Sequence, residues 1–274
     1  MSLPTYFPET SAILGGLYGD GIIGLPSAFS TDWADRMAAD IWTAFEAAKT
    51  APGGLMPRGP QRYYVEVQPE AINGFVDIVT HPWFEAVCEA VLGGDYKVVE
   101  IGFDLPFPGA VDQPWHRDFV GPLPKTARRL TSLAFNLTGI DTRPEHGPFE
   151  IAPGTQWDHL EGARDGMFPH LDNWPRFAER AVRKMAQRGD FSARSALTVH
   201  RGTANRSNEA RPVLIVGVVA AEAADRNSHQ LQVTQAWLDG IAPEVQSRLL
   251  YRVVPELAPI VQQHLIEGLM AAAA

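Results

Sequence analysis

The chain has 274 residues, with 23 Lys and Arg against 32 Asp and Glu, for a formal charge of −9. That balance, without any Lys/Arg cluster, excludes a protein working mainly by neutralising nucleic-acid phosphates. Hydrophobic residues make up 45% and charged residues 20%, a globular composition. A chain this long buries a large core without disulfides or a structural metal, so any metal site is expected to be functional. Its one cysteine, Cys88, allows neither an intramolecular disulfide nor a thiolate zinc cage. The opening MSLPTYFPET has no basic and apolar signal pattern. The longest apolar run, 213–221, falls far short of the ~20 residues of a membrane helix. A soluble, cytoplasmic protein is the expectation.

Taken in chain order, the first elements are helical. Ser30 and Thr31 are N-cap candidates, and Trp33, Met37, Ile41 and Phe45 recur every four residues as one apolar stripe. Pro82 opens a second helix with Trp83, Val87 and Val91 on one stripe and Phe84, Cys88 and Leu92 beside it. Gly93 and Gly94 end that helix, and Cys88 is expected to be an inert core residue. From Tyr96 the period changes. Strands are predicted at 96–103, 130–137, 149–152, 196–200 and 212–220, separated by Pro- and Gly-rich stretches. One helix, 172–187, interrupts the series, with Arg176, Arg180, Arg183 and Lys184 as its solvated face. Parallel βαβ units would need more helices, so an antiparallel jelly roll or barrel with added helices is predicted. Helices at 245–251 and 257–270 close the chain, and the absence of repeats or low-complexity linkers predicts a single domain over 1–274.

The sharpest local feature is Gln113-Pro-Trp-His-Arg-Asp118. On a strand, His116 and Asp118 stand at i and i+2 and leave the same face. A second histidine from another strand would complete a two-His, one-carboxylate set, which leaves open positions on a non-heme Fe(II) ion. Alone, the pair reads first as a surface salt link or a satisfied hydrogen bond. His200 ends one apolar strand and Arg211 begins the next, and the Gly/Asn/Ser-rich 202–210 between them reads as a hairpin that sets Arg211 beside the His200 strand. An arginine entering so apolar a strand needs an anionic partner, and its planar fork suits a carboxylate. That partner is either a protein carboxylate such as Glu209 or Glu150, or a dicarboxylate whose other end chelates the metal.

These features, in this order, resemble the phytanoyl-CoA dioxygenase family of Fe(II)/2-oxoglutarate-dependent oxygenases. Trp115-His116-Arg117-Asp118 is similar to the family's His-x-Asp with an aromatic before it. His146-Gly147-Pro148-Phe149 through Pro153-Gly154-Thr155 resembles its Asn-Gly-Pro … Pro-Gly-Ser/Thr-His stretch. Gly189-Asp190 resembles the Gly-Asp ahead of the distal histidine, and His200, Asn205, Ser207 and Arg211 its His … Asn-x-Ser … Arg run. The segment from Tyr18 to Pro26 resembles its N-terminal strand. The resemblance covers about 16–220, leaving 221–274 as a helical C-terminal extension. His146 and Gln156 depart from the pattern, standing where the family usually has Asn and often has His; neither is a metal ligand there.

The resemblance implies a mainly β, double-stranded β-helix (jelly-roll) core with N- and C-terminal helices outside. It implies Fe(II) bound by His116, Asp118 and His200, with 2-oxoglutarate as cosubstrate and O2 as co-reactant. The far carboxylate of 2-oxoglutarate would meet Arg211, with Asn136 and Thr203 as further contacts. Succinate and CO2 would be released as a small-molecule substrate is oxidised, with hydroxylation as the default outcome. Desaturation, cyclisation or epimerisation of a secondary metabolite would use the same residues. Asp118 separates the chain from the halogenating branch, in which a small residue replaces the carboxylate. Two other classes are a non-oxidative cupin-like metal enzyme, with no use for Arg211 at this offset, and a jelly-roll binding protein that would have lost a ligand.

Nucleic-acid and membrane partners are not expected. Of the other histidines, His81 is expected to be a helix cap or a surface residue, and His159, His170, His229 and His264 to be solvated; His146, beside the strand at Gly147, is only a lesser candidate for touching substrate or the groups behind the ligands. Trp115 and Phe119 should point away from the ligands into the core. The aromatic-rich stretch 156–189, with 105–114 and 119–129, is expected to wall the pocket and close over the iron site, the alternative being a helix that only buttresses the outside of the barrel.

Overall fold

The structure is a computed structural model that describes residues 9–118, 129–163, 166–224, 231–258 and 260. Helix α1, Thr10–Gly19, leads into the edge strand β1, Ile22–Leu25. The Ser30 hydroxyl caps α2, Thr31–Thr50, by accepting the Trp33 N–H at 3.2 Å, and the stripe from Trp33 to Phe45 is buried as its spacing predicts. Strands β2, Met56–Pro57, and β3, Arg62–Glu66, precede α3, Phe75–Val79, and α4, Pro82–Leu92. The His81 ring caps α4 by accepting the Trp83 N–H, and Gly93 ends it at φ 93°, a conformation that favours glycine. Cys88 lies in the core, as expected.

Strands β4, Lys97–Pro106, β5, Ser132–Thr138, β6, Phe149–Ile151, and the short pair β7, Gly162–Ala163, and β8, Phe168–Pro169, follow. Helix α5, Trp174–Arg180, leads to β9, Val182–Lys184, β10, Phe191–Ser195, β11, His200–Gly202, and β12, Val213–Val219. Then come α6, Ala221–Ala224, β13, Leu231–Val233, α7, Gln235–Asp239, α8, Pro243–Ser247, and β14, Tyr251–Val253.

Seven strands form an antiparallel sheet in the order β1-β10-β5-β12-β4-β3-β2, and β11-β6-β9 form a second. Alternate residues of the large sheet meet two environments, because successive side chains leave opposite faces. Phe103, Phe135, Leu137, Phe191, Leu214 and Val216 join the core that α1 to α4 cover. Asp104, Ala134, Asn136, Arg194, Val213 and Ile215 instead line a cavity of about 900 Å3, whose other wall includes Phe149, Val182 and His200 of the small sheet. This mainly β, antiparallel arrangement of two facing sheets with outer helices is the fold class expected, and it is consistent with a jelly roll.

Four expectations need correction. The predicted helix 172–187 ends at Arg180, and Val182–Lys184 pairs with β6 while Arg183 binds Glu150 at 3.0 Å. The basic residues at helical spacing thus straddle a helix and an edge strand. The predicted strand 196–200 is a crossing between sheets: Ser195 closes β10, its Oγ accepts the Leu197 N–H at 3.2 Å, and His200 begins β11. The segment 202–210 is not a hairpin, because β11 and β12 belong to different sheets. Finally, the predicted helix 245–251 stops at Ser247, because Leu249 and Leu250 are drawn onto Val98 of β4 and Tyr251 opens a strand parallel to β13. The predicted helix 257–270 lies almost wholly outside the described residues, as do Phe119, His229 and His264.

A second, smaller core lies behind the small sheet. Phe177 of α5 is fully buried there against Trp115, ring centroids 6.0 Å apart, with Ala152, Leu160 and Val199 around them. Phe177→Ala is expected to cost about 3–5 kcal/mol, the usual range for a buried aromatic, read as a lower urea midpoint. An unchanged midpoint would show that α5 merely rests on the surface.

Candidate active site

His116 and His200 meet across an isolated antiparallel bridge in which each backbone N–H donates to the other's carbonyl, at 3.0 and 2.9 Å. Asp118, two residues on, donates its N–H to the Ala196 carbonyl at 3.0 Å. The i, i+2 spacing thus brings His116 and Asp118 together with His200, and one ligand atom from each lies within 4.8 Å of the others. Among the described residues this is the group of His, Cys, Asp and Glu side chains with metal-holding geometry.

The surroundings set the tautomer and charge of these side chains. His116 Nδ1–H donates to the Pro114 carbonyl at 2.8 Å and His200 Nδ1–H to the Thr198 carbonyl at 2.9 Å. A carbonyl only accepts, so these contacts fix the tautomer and leave Nε2 of each ring as the lone-pair atom. Burial, and then the charge of His200, pushes the His116 imidazole down to about 3, so it is neutral and able to ligate at neutral pH. Burial would raise the Asp118 pKa, but Arg194, followed by His200 and His116, outweighs it and holds the carboxyl well below its usual range. Its Oδ1 faces His200 Nε2 at 3.4 Å, and its Oδ2 accepts from Arg194 Nη1. Two lone pairs facing each other at that distance are satisfied by a cation between them.

Arg211 opens onto the same cavity from the start of β12, its backbone N–H donating to Pro106 at 3.1 Å. Its side chain is 6% exposed, and the nearest carboxylate, Asp104, lies at 4.0 Å. Asp104 is already bound by Arg62 at 2.9 Å, while Glu150 binds Arg183 and Arg201, and Glu209 approaches Arg143 at 3.6 Å. Neither protein carboxylate suggested by the sequence is therefore its partner. Two buried guanidinium groups share one carboxylate, and Arg211 Nε has no hydrogen-bond partner. Burial lowers the Arg211 pKa to about 10, Asp104 opposing and Arg62 assisting, which leaves the group charged at neutral pH. A buried cation that has only a shared carboxylate at 4.0 Å keeps hydrogen-bonding capacity for an incoming carboxylate.

Asn136 lines this cavity from the middle of β5, paired in register with Ser192 and Ile215. Thr203 does not reach it. Its hydroxyl donates to the Pro148 carbonyl at 2.7 Å, and its own carbonyl accepts from Arg62 at 2.8 Å. His146 is buried away from the cavity, its Nδ1 accepting the Arg143 N–H at 3.1 Å, whereas His159 and His170 are exposed. Gln156, where the family often has histidine, donates through Nε2 to the carbonyls of Tyr18 and Gly19, both at 3.0 Å, and so anchors the end of α1. The stretch 156–189 divides between two roles. Met167 and 182–186 line the cavity and Phe168 stacks on His116 at 6.0 Å, while Trp174 and Phe177 buttress Trp115 from outside.

Sequence reasoning missed Arg194, which stands on β10 between β1 and β5, and Asp104 and Arg62 behind Arg211. The available signal was an arginine four residues after Gly189-Asp190, with Phe191 and Ala193 as the alternating apolar positions.

Two facing sheets, with two imidazoles and a carboxylate converging on the cavity between them, define a cupin-like non-heme metal enzyme. The phytanoyl-CoA dioxygenase (PhyH) family matches residues 17–213, and the chain belongs to that family of iron- and 2-oxoglutarate-dependent dioxygenases. Dioxygenase aneA of Aspergillus aculeatus is 27% identical over 191 residues, 64% of this chain and 58% of that protein, so the chain spans little more than half of this relative. Among solved structures, the non-heme alpha-ketoglutarate-dependent carbocyclase SnoK from nogalamycin biosynthesis has a TM-score of 0.62 at 20% identity, covering 92% of this chain and 96% of its own. The epimerase SnoN, solved with Fe3+, alpha-ketoglutarate and a nogalamycin compound, has a TM-score of 0.61 at 18% identity, covering 77% and 84%. Both likenesses concern the fold. No helix among the described residues is long and apolar enough to cross a membrane.

Proposed function

We propose that the protein hydroxylates a small organic molecule in an Fe(II)- and 2-oxoglutarate-dependent reaction. The observation that carries this reading is that the His116–Asp118–His200 cluster and the Arg211 guanidinium, which shares its carboxylate with Arg62 and has an unpaired Nε, open onto one cavity. His116 and His200 hold the ferrous ion through Nε2 and Asp118 holds it through its carboxylate. Arg211 receives the far carboxylate of 2-oxoglutarate in a bidentate, charge-assisted grip, with Asn136 as a second contact. When bound, iron with 2-oxoglutarate and O2 supplies the oxidising power, with release of succinate and CO2.

The chain's own contribution is position and enclosure. Asp104 and Arg62 orient Arg211 from behind, while Phe149 and Phe168, each beside a ligand histidine, keep water from the ligand atoms. Val99, Leu133, Val213, Ile215 and Val219 offer the substrate an apolar wall. Incubation of the iron-loaded protein with 2-oxoglutarate and a metabolite panel is expected to release succinate in step with O2 uptake for some member. A product heavier by one oxygen atom supports hydroxylation. A product lighter by two hydrogens, or a stereoisomer of equal mass, would replace hydroxylation with desaturation, cyclisation or epimerisation. Turnover without O2 would overturn the reading.

A further inference from the structure

Arg194 is a charged side chain buried at the candidate metal centre. It is 5% exposed, lines the cavity and sits on a strand hydrogen-bonded on both sides, facing Ile22 of β1 and Ala134 of β5. Its Nη1 donates to Asp118 Oδ2, and its guanidinium lies 5.5 Å from the Phe149 ring centroid, while Phe149 in turn lies 5.2 Å from the His200 ring. Its Nε has no hydrogen-bond partner. Among the described residues, the backbone of Asp118 is held by its N–H donating to Ala196, and its side-chain orientation depends on what grips the carboxylate.

We infer that Arg194 is a positioning residue that occupies Oδ2 of Asp118 and restricts the carboxylate to metal ligation through Oδ1 alone. This inference rests on the reading of His116, Asp118 and His200 as the iron ligands. Its consequence follows from counting positions. Two imidazoles and one carboxylate oxygen leave three positions on a six-coordinate ion, of which a chelating 2-oxoglutarate takes two and O2 needs the third. A carboxylate free to bind through both oxygens would take the third position. Arg194 prevents this, because its charge-assisted hydrogen bond holds Oδ2 on a rigid strand. The cation also competes with the metal for Asp118, so removing it should not weaken metal binding.

The test compares wild type with Arg194→Met, a neutral side chain of similar length. Fe(II) binding is measured anaerobically by calorimetry, and nitric oxide then probes the remaining position, read as the high-spin iron–nitrosyl EPR signal per bound iron with 2-oxoglutarate present. The variant is expected to bind Fe(II) at least as tightly as wild type and to lose at least fivefold of the nitrosyl signal. A full signal per bound iron, or weakened iron binding with the signal unchanged, would overturn the inference and leave Arg194 a structural residue. Absence of iron binding by wild type would instead overturn the metal-site reading. Should Arg194→Met not fold, a crystal structure of the wild type with Mn(II) and 2-oxoglutarate reads the same point. Asp118 bound through one oxygen with Arg194 on the other supports the inference; Asp118 bound through both, or Arg194 turned away, overturns it.

Discussion

Asp118→Ala is expected to abolish Fe(II) binding and, with it, 2-oxoglutarate turnover. Removing Asp118 takes away a metal–oxygen bond and the one negative charge of the ligand set, so the loss of affinity should exceed about a hundredfold. A core of this size is expected to fold without the metal, but Asp118 is also the carboxylate partner of Arg194, a side chain only 5% exposed. Removing one member of such a pair strands the other charge, at about 3–5 kcal/mol for a fully buried pair and less here, because Asp118 is 30% exposed. Asp118→Ala should therefore show both a lower urea midpoint and no metal binding. The double variant Asp118→Ala with Arg194→Met should recover the midpoint without recovering the metal. Calorimetric titration with Fe(II) and urea unfolding of the three proteins separate the two effects. Retention of metal binding and turnover by Asp118→Ala would overturn the ligand assignment.

Which parts of this site can be read from the chain depends on how local the physics is. His116 and Asp118 are legible because a strand's period of two places i and i+2 on one face, whatever surrounds them. Arg211 stands out because a charge at the head of the apolar run from Val213 to Val219 demands a partner. The identity of that partner is not local. Asp104 and Arg62 lie on β4 and β3, and only the register that sets Tyr64 opposite Asp104 brings them behind Arg211. Arg194 stays hidden for a related reason. Phe191-Ser-Ala-Arg-Ser is a weak strand pattern, whereas the apolar 196–200 that reads as a strand is the crossing which carries the chain from one sheet to the other. The helices α2 and α4 are predicted well because their caps and stripes lie within the segments themselves. Strand β9 is misread because tertiary pairing with β6 overrides a four-residue spacing of basic side chains.

Arg211→Ala is expected to raise the 2-oxoglutarate concentration needed for half-saturation on the order of a hundredfold. Each charge-assisted hydrogen bond contributes about 1.5–3 kcal/mol, and about 2.7 kcal/mol is a hundredfold in affinity. Arg211→Lys should recover only part of this, since an ammonium is a point charge and cannot make two parallel hydrogen bonds to a carboxylate. The electrostatics behind Arg211 add a prediction of opposite sign. Arg62 and Arg211 share Asp104, with Arg62 at 2.9 Å and Arg211 at 4.0 Å. Deleting Arg211 leaves Arg62 and Asp104 as a balanced pair and removes a buried cation whose Nε has no partner. The ligand-free Arg211→Ala protein should therefore be no less stable than wild type, and should gain less than wild type on addition of 2-oxoglutarate with an inert divalent metal. A structural arginine would give the reverse pattern, a lower urea midpoint with unchanged 2-oxoglutarate affinity. Measuring both quantities on the same variant decides whether this guanidinium serves the fold or waits for a carboxylate.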